Sequence, residues 1–392
     1  MPWLQWPLAF LLIAAAVAPI VIPWLSNPAD QRLVDLDVYR TAGQSVLDGL
    51  PVYDVLTQPP QLLPFTYPPL AALFCVPLAL MPWPVAQWVW VVFVYLCLTA
   101  TTWYAFRAVL DRAGRFAPLA LAALVAVLAY PMPVYDQIRF GQIDVFLILL
   151  CVADCVARSP RWPRGALIGL ACAIKLTPGV FLIYLWITGR RKAAVTAVIF
   201  GAAVTLAAFV ALPRDSVDFW FGALLDSERL GSNNGTANQS LRGMLMRTYL
   251  PDVLITVLWL AAVAIVAWYG FRLARRASLG GAELIGVAAV GLLATLLSPV
   301  GWIHHLAWLV VVLGALLAGG RSWRWWALAG GVWLFYTLHI PWYGVTMLAD
   351  DIGPRALGKI VQDAFGLGAV ALLPILAKRY KSVGNHEAVQ RE

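Results

Sequence analysis

Long apolar stretches separated by short polar loops recur along the whole of this 392-residue chain. Each stretch is continuous and rich in Leu, Ala and Val, without the alternation of polar and apolar residues that the strands of a membrane β-barrel show. A helix needs about 20 apolar residues to cross the hydrocarbon core of a bilayer, and several stretches approach that length. The pattern predicts an all-α, polytopic membrane protein.

Short clusters of Arg and Lys close these stretches. The clusters are 107–115, 158–164, 190–192, 272–276, 321–324 and 378–381. Because basic loops stay in the cytoplasm, the chain must cross the membrane an even number of times between successive clusters. The segments that satisfy this rule are 8–25, 85–106, 116–131, 143–157, 193–212, 253–271, 282–299, 306–319, 325–341 and 361–377.

Two regions need a different solution. Only about 24 residues separate the clusters at 158–164 and 190–192, roughly enough for one crossing, so we predict a re-entrant hairpin. Residues 166–175 would rise, 177–179 would turn and 180–187 would return. The short segment 68–80 begins with two prolines, and we predict that it lies in the outer interface.

The whole chain, 1–392, is predicted to form a single membrane domain of about 12 transmembrane or re-entrant helices, with both termini in the cytoplasm. Its long extracytoplasmic loops would be 26–84, which carries the interfacial helices, and 213–252. The first apolar segment lacks the positive flank and cleavage site of a secretory signal, so we interpret it as a retained span.

The composition excludes other classes of protein. With 61% hydrophobic and 12% charged residues, the chain has too little polar surface for a soluble protein of this size. The net charge of +8 comes mostly from the cytoplasmic clusters, which favours membrane orientation over nucleic-acid binding. The five cysteines lie in apolar segments without metal-ligand spacing, so neither a metal nor another cofactor is expected.

Most of the 20 acidic residues fall in the predicted outer loops, which places the candidate chemistry outside the cell. Asp35 and Asp37 are near the start of an amphipathic segment that also carries Tyr39 and Arg40. In a helix, Asp35 and Tyr39 share one face. Two neighbouring carboxylates, partly desolvated at the membrane surface, would raise the pKa of one of them and suit a general base. The alternative is that either acid caps the helix.

Further polar residues occur beside the ends of apolar segments and, together with Tyr39 and Arg40, are our candidates for substrate binding. Tyr67 is placed like an interfacial aromatic residue. Gln142 and Asp144 begin an apolar helix, where an acid is costly and usually functional. Lys175 lies at the tip of the predicted hairpin, where either a lipid-borne phosphate or an internal pair with Asp144 would offset the cost of burying it.

The loop 232–242 is dense in hydrogen-bonding groups and contains Asn238, Gln239 and Ser240. Such a loop suits either recognition of sugar hydroxyls or ordinary turn and capping interactions. His304 and His305 follow in a later loop. Adjacent residues do not share a face of a regular helix, so we expect at most one to contact a substrate, through a hydrogen bond to phosphate.

These segments together resemble glycosyltransferase family 87, within the C-type integral-membrane glycosyltransferases. The motif D-L-x-V-Y is matched at 35–39, followed by A-G at 42–43 and L-x-G-x-P-x-Y at 47–53. The other matches are L-P-F-T-Y-P-P-L-A-A at 63–72, G-Q-x-(N/D) at 141–144, I-K-x-T-P at 174–178, N-Q-S-L-x-G at 238–243 and S-P-V-x-W-x-H-H at 298–305. Asp144 and Gly301 stand where the family more often has Asn and Ser.

The resemblance implies an inverting, metal-independent transferase of actinobacterial type, which uses a polyprenyl-phosphate sugar at the outer face of the plasma membrane. The expected donor is polyprenyl-phosphate-mannose, and the expected acceptor is a phosphatidylinositol mannoside or lipomannan. Asp35 would be the base, with Asp37 as second candidate, while Lys175 and His304 or His305 would hold the donor phosphate. The alternatives are an arabinofuranosyltransferase that uses decaprenyl-phosphate-arabinose and, from another class, a flippase for lipid-linked sugars.

Overall fold

The computed structural model describes residues 5–389 except 29–30, 227–228, 230, 232 and 321, with only the backbone of 384–389. The described residues form α-helices joined by short turns and 3₁₀ or π segments. The helices are α1 (Gln5–Ser26), α2 (Val34–Asp48), α3 (Pro69–Ala79), α4 (Trp83–Ala105), α5 (Arg107–Ala113), α6 (Ala117–Leu128), α7 (Met132–Phe140), α8 (Asp144–Val156), α9 (Ala166–Ile174), α10 (Val180–Ile187), α11 (Arg191–Ala211), α12 (Pro213–Asp218), α13 (Leu241–Met246), α14 (Asp252–Leu279), α15 (Glu283–Leu296), α16 (Leu309–Ala318), α17 (Trp323–Thr337), α18 (Ile340–Ala349), α19 (Arg355–Gln362) and α20 (Ala364–Val389). The predicted all-α class is confirmed.

Four helices, α1, α4, α11 and α14, are long and apolar enough to cross a membrane. Two bent pairs would raise the number to six. The segment Arg107–Leu128 meets α7 at 80°, and α19 meets Ala364–Val383 at 66°. The polytopic membrane character is therefore confirmed, whereas the count of about 12 is not, because several predicted spans are broken or contain only 10–17 helical residues.

The chain divides into two compact units. Unit 1 comprises Met1–Ile13, Thr101–Val134 and Ser232–Glu392, and unit 2 comprises Ala14–Ala100 and Tyr135–Gly231. In unit 1, α15 and α16 are buried along almost their whole length and form its core. In unit 2, α2 packs on α3, and α9 packs on α11. The single-domain organisation stays a prediction.

The predicted hairpin lies in unit 2 and is formed by α9, a 3₁₀ turn at Thr177–Gly179, and α10. Gly165 approaches Ala193, and Gly169 approaches Ala197 and Gly201, so α9 and α11 run in parallel. Since only three residues separate α10 from α11, α10 must return toward the level at which α9 began. The nine residues of α9 rise only about 13 Å, less than half of the hydrocarbon thickness. This geometry is that of a re-entrant hairpin.

Helix α2 is fixed at two points in unit 2. A Cβ on Gly43 would lie 2.5 Å from the carbonyl oxygen of Cys75, so only glycine permits the close approach of α2 to α3. At the N-terminal end, Leu33 N–H donates to the carbonyl oxygen of Arg139 over 3.0 Å. Gly141 adopts φ +73° there, and a Cβ on it would lie 2.8 Å from Cβ of Leu36. The helix that carries both candidate acids is thus docked against the segment before α8.

Candidate active site

Asp35 lies in the first turn of α2 and is half-buried. The residue before the helix is Leu33, in the left-handed conformation with φ 48°, and the helix start has no side-chain capping bond. The alternative in which Asp35 or Asp37 caps the helix is therefore wrong. The side chain of Asp35 instead reaches across to the segment before α8.

A hydrogen-bonded cluster joins Asp35 to Tyr39, Tyr67 and Gln142. Nε2 of Gln142 donates to Oδ2 of Asp35 over 2.6 Å. Oε1 of the same amide lies 3.3 Å from the hydroxyl of Tyr39 and 3.3 Å from that of Tyr67, and the two hydroxyls are 2.9 Å apart. Tyr39 is one helical turn from Asp35, as the predicted shared face requires. We call these four residues the base cluster.

Burial of Asp35 raises the pKa of its carboxyl to about 7. The hydrogen bond from Gln142 and the charge of Lys175 oppose this shift, and the charge of Asp144 adds to it. Desolvation, one of the two causes expected from the sequence, is therefore the leading cause, and the acid whose charge adds to it is Asp144 rather than the neighbouring Asp37. A carboxyl with a pKa near neutrality is well matched to proton transfer under physiological conditions.

Asp37 and Arg40 lie outside the base cluster. A helix turns by about 100° per residue, so Asp37 projects roughly 200° away from Asp35. Burial raises the pKa of Asp37, and the charge of Arg40 opposes the shift. Arg40 donates to the carbonyl oxygen of Met81 over 3.2 Å, so its guanidinium ties α2 to the chain just after α3. Direct substrate binding by Arg40 stays a prediction.

Lys175 follows the last residue of α9 and carries the cation at the hairpin tip. Its Nζ donates to Oδ1 of Asp144 over 2.7 Å and lies 5.2 Å from the centre of the Tyr67 ring. The internal pair weighed from the sequence is thus present. Tyr67 links this pair to the base cluster, which brings a carboxyl, two phenols, an amide and an ion pair into one polar region of unit 2.

Asn238, Gln239 and Ser240 lie in unit 1 and are fully buried. Oδ1 of Asn238 accepts from Gly301 N–H over 2.9 Å. The Gln239 side chain donates to the carbonyl oxygen of Gln362 and accepts from Gly366 N–H. The Ser240 hydroxyl accepts from Gly243 N–H at the start of α13. The Ser240 bond caps a helix, whereas Asn238 and Gln239 bond to backbone groups far along the chain. Contact with a sugar stays a prediction.

His304 and His305 lie in a 3₁₀ helix, Ile303–Trp308, rather than a regular α-helix. Their rings meet edge to face, with centres 4.7 Å apart. His304 is buried and His305 is half-buried. Nδ1 of His305 accepts from Trp302 N–H over 3.2 Å, so this nitrogen carries no proton and the other ring nitrogen is the candidate donor.

Tyr53 and Asp215 are additional structural supports of unit 2 that were not singled out in the sequence. The Tyr53 hydroxyl donates to the carbonyl oxygen of Tyr67 over 2.8 Å, and its ring packs against Phe65. Asp215 accepts from Val52 N–H over 2.7 Å. Tyr53 therefore holds the loop that leads to Tyr67. Its place at the end of the L-x-G-x-P-x-Y motif is the signal in the sequence by which it could have been found.

Comparison with known proteins identifies the family of this chain. A family model described as glycosyltransferase family 87 matches residues 65–299. A polyprenol-phosphate-mannose-dependent alpha-(1-2)-phosphatidylinositol mannoside mannosyltransferase from Mycolicibacterium smegmatis is 34% identical over 378 residues, which cover 89% of this chain and 83% of the relative. The protein of the same description from Mycobacterium tuberculosis is 34% identical, covering 81% of this chain and 77% of the relative.

A phosphatidylinositol pentamannoside mannosyltransferase from Mycolicibacterium smegmatis, also described as polyprenol-phosphate-mannose-dependent and alpha-(1-2), is 32% identical and covers 85% of this chain and 81% of the relative. No solved structure matches the chain. The chain belongs to glycosyltransferase family 87. It is accordingly a membrane glycosyltransferase.

Proposed function

We propose that this enzyme transfers a mannosyl residue from polyprenyl-phosphate-mannose to a hydroxyl group of a phosphatidylinositol mannoside or lipoglycan, at the outer face of the plasma membrane. The observation that carries the proposal is the half-buried Asp35 carboxyl held by Gln142, in a chain whose relatives are described as mannosyltransferases with this donor. A lipid-linked donor fits an outer site, because nucleotide sugars are made inside the cell.

The reaction is a single displacement with inversion. The acceptor hydroxyl oxygen forms a bond to the anomeric carbon while the bond from that carbon to the phosphate oxygen breaks. The hydroxyl proton passes to Asp35, and the polyprenyl phosphate departs with the electron pair of the broken bond. General base catalysis of this kind contributes roughly 10²–10⁴ to a rate.

Charge on the departing phosphate needs a cationic or hydrogen-bonding partner. Lys175 supplies a cation beside the base cluster in unit 2, where it pairs with Asp144. His304 or His305 would bind the phosphate, by resemblance to the family motif. No step of this mechanism calls for a metal or another cofactor.

Mannose is favoured over arabinofuranose by the descriptions of the relatives, all of which name polyprenol-phosphate-mannose. A flippase would move the lipid-linked sugar without a bond changing, so it would release no mannosylated product. Assays with purified enzyme, labelled donor and mannolipid acceptors separate the three functions. Product from polyprenyl-phosphate-mannose alone supports the proposal, and product from decaprenyl-phosphate-arabinose alone overturns it.

The base is tested with two matched variants on α2. Asp35→Asn removes the proton acceptor but keeps the shape of the side chain, so transfer should fall by about 10²–10⁴. Asp37→Asn changes an acid two residues away, outside the base cluster, and should lower transfer less than about fivefold. Gel filtration in detergent checks that both variants fold. Equal losses in the two variants, or a loss confined to Asp37→Asn, would contradict the assignment of Asp35.

A further inference from the structure

We infer that Gln142 is a positioning residue for the base: two tyrosine hydroxyls fix its side-chain amide so that the amide nitrogen holds Asp35 Oδ2 and leaves Oδ1 for the acceptor proton. This inference rests on the proposed function and adds to it. It reassigns Gln142, Tyr39 and Tyr67, which the sequence offered as substrate-binding residues, to the support of the base.

Two hydroxyl protons are shared among three oxygen atoms of the base cluster. Tyr39, Tyr67 and Gln142 Oε1 form a triangle of three oxygen atoms, with sides of 2.9, 3.3 and 3.3 Å. Two phenols bring two protons to three contacts, and Oε1 can only accept. If both phenols donated to Oε1, the two hydroxyl oxygens would face each other at 2.9 Å without a proton between them. A chain in which one phenol donates to the other, and the second donates to Oε1, serves the triangle best.

The partners of the Gln142 side-chain amide determine its orientation. The oxygen and nitrogen of a glutamine side chain are nearly isosteric, so partners decide which way it points. A phenol can donate or accept, whereas an ionised carboxylate can only accept. Ionised Asp35 therefore requires the amide nitrogen, at 2.6 Å, and this turns Oε1 toward the tyrosines. The tyrosine hydroxyl that donates to Oε1 then holds the amide in the orientation that Asp35 needs.

The side chains of Gln142 and Tyr39 are held rigidly by burial and packing. Gln142 and Tyr39 are 4% and 2% exposed, and the Tyr39 ring packs edge to face on Tyr67 at 5.3 Å between centres. The Tyr67 carbonyl oxygen is held in turn by Tyr53. A buried side chain with all its polar atoms engaged has little room to reach a substrate. Such a network keeps its geometry because breaking any member leaves a buried polar group unsatisfied.

The Asp35 carboxyl is held through one of its two oxygen atoms. Among the described residues, the hydrogen bonding of the Asp35 side chain ends on Oδ2. Oδ1 is then the oxygen that remains to take a proton from the acceptor. Besides the members of the cluster, the charged groups that act on Asp35 are Lys175 and Asp144. Both stay in place when Gln142 is changed, so the effect of the amide can be isolated.

The test is the pH dependence of mannosyl transfer by Gln142→Leu, compared with the wild type. Removing a donor to the carboxylate disfavours its ionised form, so the midpoint of the acidic limb should move upward by about one to two pH units. Well above the new midpoint, transfer should recover part of its loss. Donor and acceptor KM should change less than about threefold. A raised KM with an unmoved midpoint would show direct substrate binding and overturn the inference.

Gln44→Leu is the matched control, because Gln44 also donates to an aspartate of α2, Asp48, but at an exposed site. Its midpoint and rate should equal those of the wild type. If Gln142→Leu fails to fold, the ring-conserving variants Tyr39→Phe and Tyr67→Phe keep the test open. Each should shift the midpoint upward from that of the wild type. Unshifted midpoints in both variants would overturn the role of the tyrosines.

A readout independent of transfer separates this inference from the proposed function. The pH dependence of the melting temperature, taken as the difference between each protein and its Asp35→Asn counterpart, reports the pKa of Asp35 in the folded state. That midpoint should rise in Gln142→Leu whichever sugar the enzyme transfers. If the wild type transfers no mannose and the stability midpoint still rises in Gln142→Leu, the proposed function alone is contradicted. An unshifted stability midpoint contradicts the inference alone.

Discussion

Lys175 and Asp144 form an ion pair at the tip of the hairpin, with Nζ 2.7 Å from Oδ1 and side chains that are 12% and 9% exposed. Neither partner is well solvated, so each depends on the other. The pair neutralises the charge that Lys175 brings to the hairpin, whose helices α9 and α10 are composed of apolar residues and one tyrosine.

Replacing one partner should therefore be more harmful than replacing both. Lys175→Met leaves the Asp144 carboxylate buried beside an apolar chain, and we expect a loss of about 3–5 kcal/mol in stability. The double variant Lys175→Met/Asp144→Leu should regain a large part of it. Thermal unfolding in detergent measures both. The matched control is Arg355→Met, which breaks a pair with Asp351 whose members are 84% and 75% exposed, and should cost less than about 1 kcal/mol. Additive losses in the double variant would contradict this account.

The raised pKa of Asp35 predicts how transfer depends on pH. The base must be ionised to accept a proton, so transfer should rise with pH through about 7 and fall off about tenfold per unit well below it. The measurement is the initial rate between pH 5 and 9 at saturating donor. A rate that stays constant from pH 9 down to pH 5, as the ordinary aspartate pKa of about 4 would give, would contradict a desolvated base.

The same shift has an opposite consequence for stability. Asp35 binds its proton more tightly when folded than when unfolded, so its contribution to stability is complete below about pH 4 and is lost as pH rises through about 7. Asp35→Asn removes the charge that opposes folding. The variant should accordingly gain in melting temperature relative to the wild type between pH 6 and 8. A constant difference over this range would show that Asp35 keeps its ordinary pKa in the folded enzyme.

Gly169 is required for the contact between α9 and α11. A Cβ there would lie 2.9 Å from Gly201 N and closer still to the Ala197 carbonyl oxygen, so Gly169→Ala must push the two helices apart. We expect a loss of about 1–3 kcal/mol in stability and a weaker enzyme, since Lys175 follows α9 directly. Gly330→Ala in α17 is the control, because a Cβ meets nothing within 4 Å. It should be neutral or slightly stabilising. A harmless Gly169→Ala would contradict the parallel packing.

The predicted orientation in the membrane is tested by cysteine labelling. Gln58 lies in the first predicted outer loop and Ser159 in a predicted cytoplasmic cluster, and both are exposed. A membrane-impermeant maleimide should label Gln58→Cys in intact cells and Ser159→Cys only after permeabilisation. The native cysteines Cys75, Cys97, Cys151 and Cys155 are buried and should give a low background. Labelling in the reverse order would remove the outer location of Asp35.

The hairpin shows what charge patterning in a sequence can predict. The basic clusters on both sides of α9 and α10 required an even number of crossings from too few residues, and this requirement alone led to a turn at Thr177–Gly179. The total number of spans was less predictable. Hydropathy does not reveal where a helix bends, and the 80° break before Met132 depends on packing within the folded chain.

The contacts of the base cluster could be predicted only in part from the sequence. The spacing of Asp35 and Tyr39 predicted a shared face, but Gln142 lies 107 positions from Asp35 and nothing in a single sequence pairs the two. The polar stretch containing Asn238 had the opposite problem. Its residue types suit both sugar binding and turn formation, and only the folded chain shows that Asn238 Oδ1 accepts from backbone Gly301.

With the outer location proposed above for Asp35, the base cluster also makes the enzyme vectorial. Asp35 and Lys175 belong to one polar region of unit 2, so the enzyme would take its lipid donor from the outer leaflet alone. A lipid donor produced in the other leaflet has to be translocated before this enzyme can consume it. The supply of donor across the bilayer, rather than its synthesis, then becomes a point at which the output of mannosylated lipid can be limited.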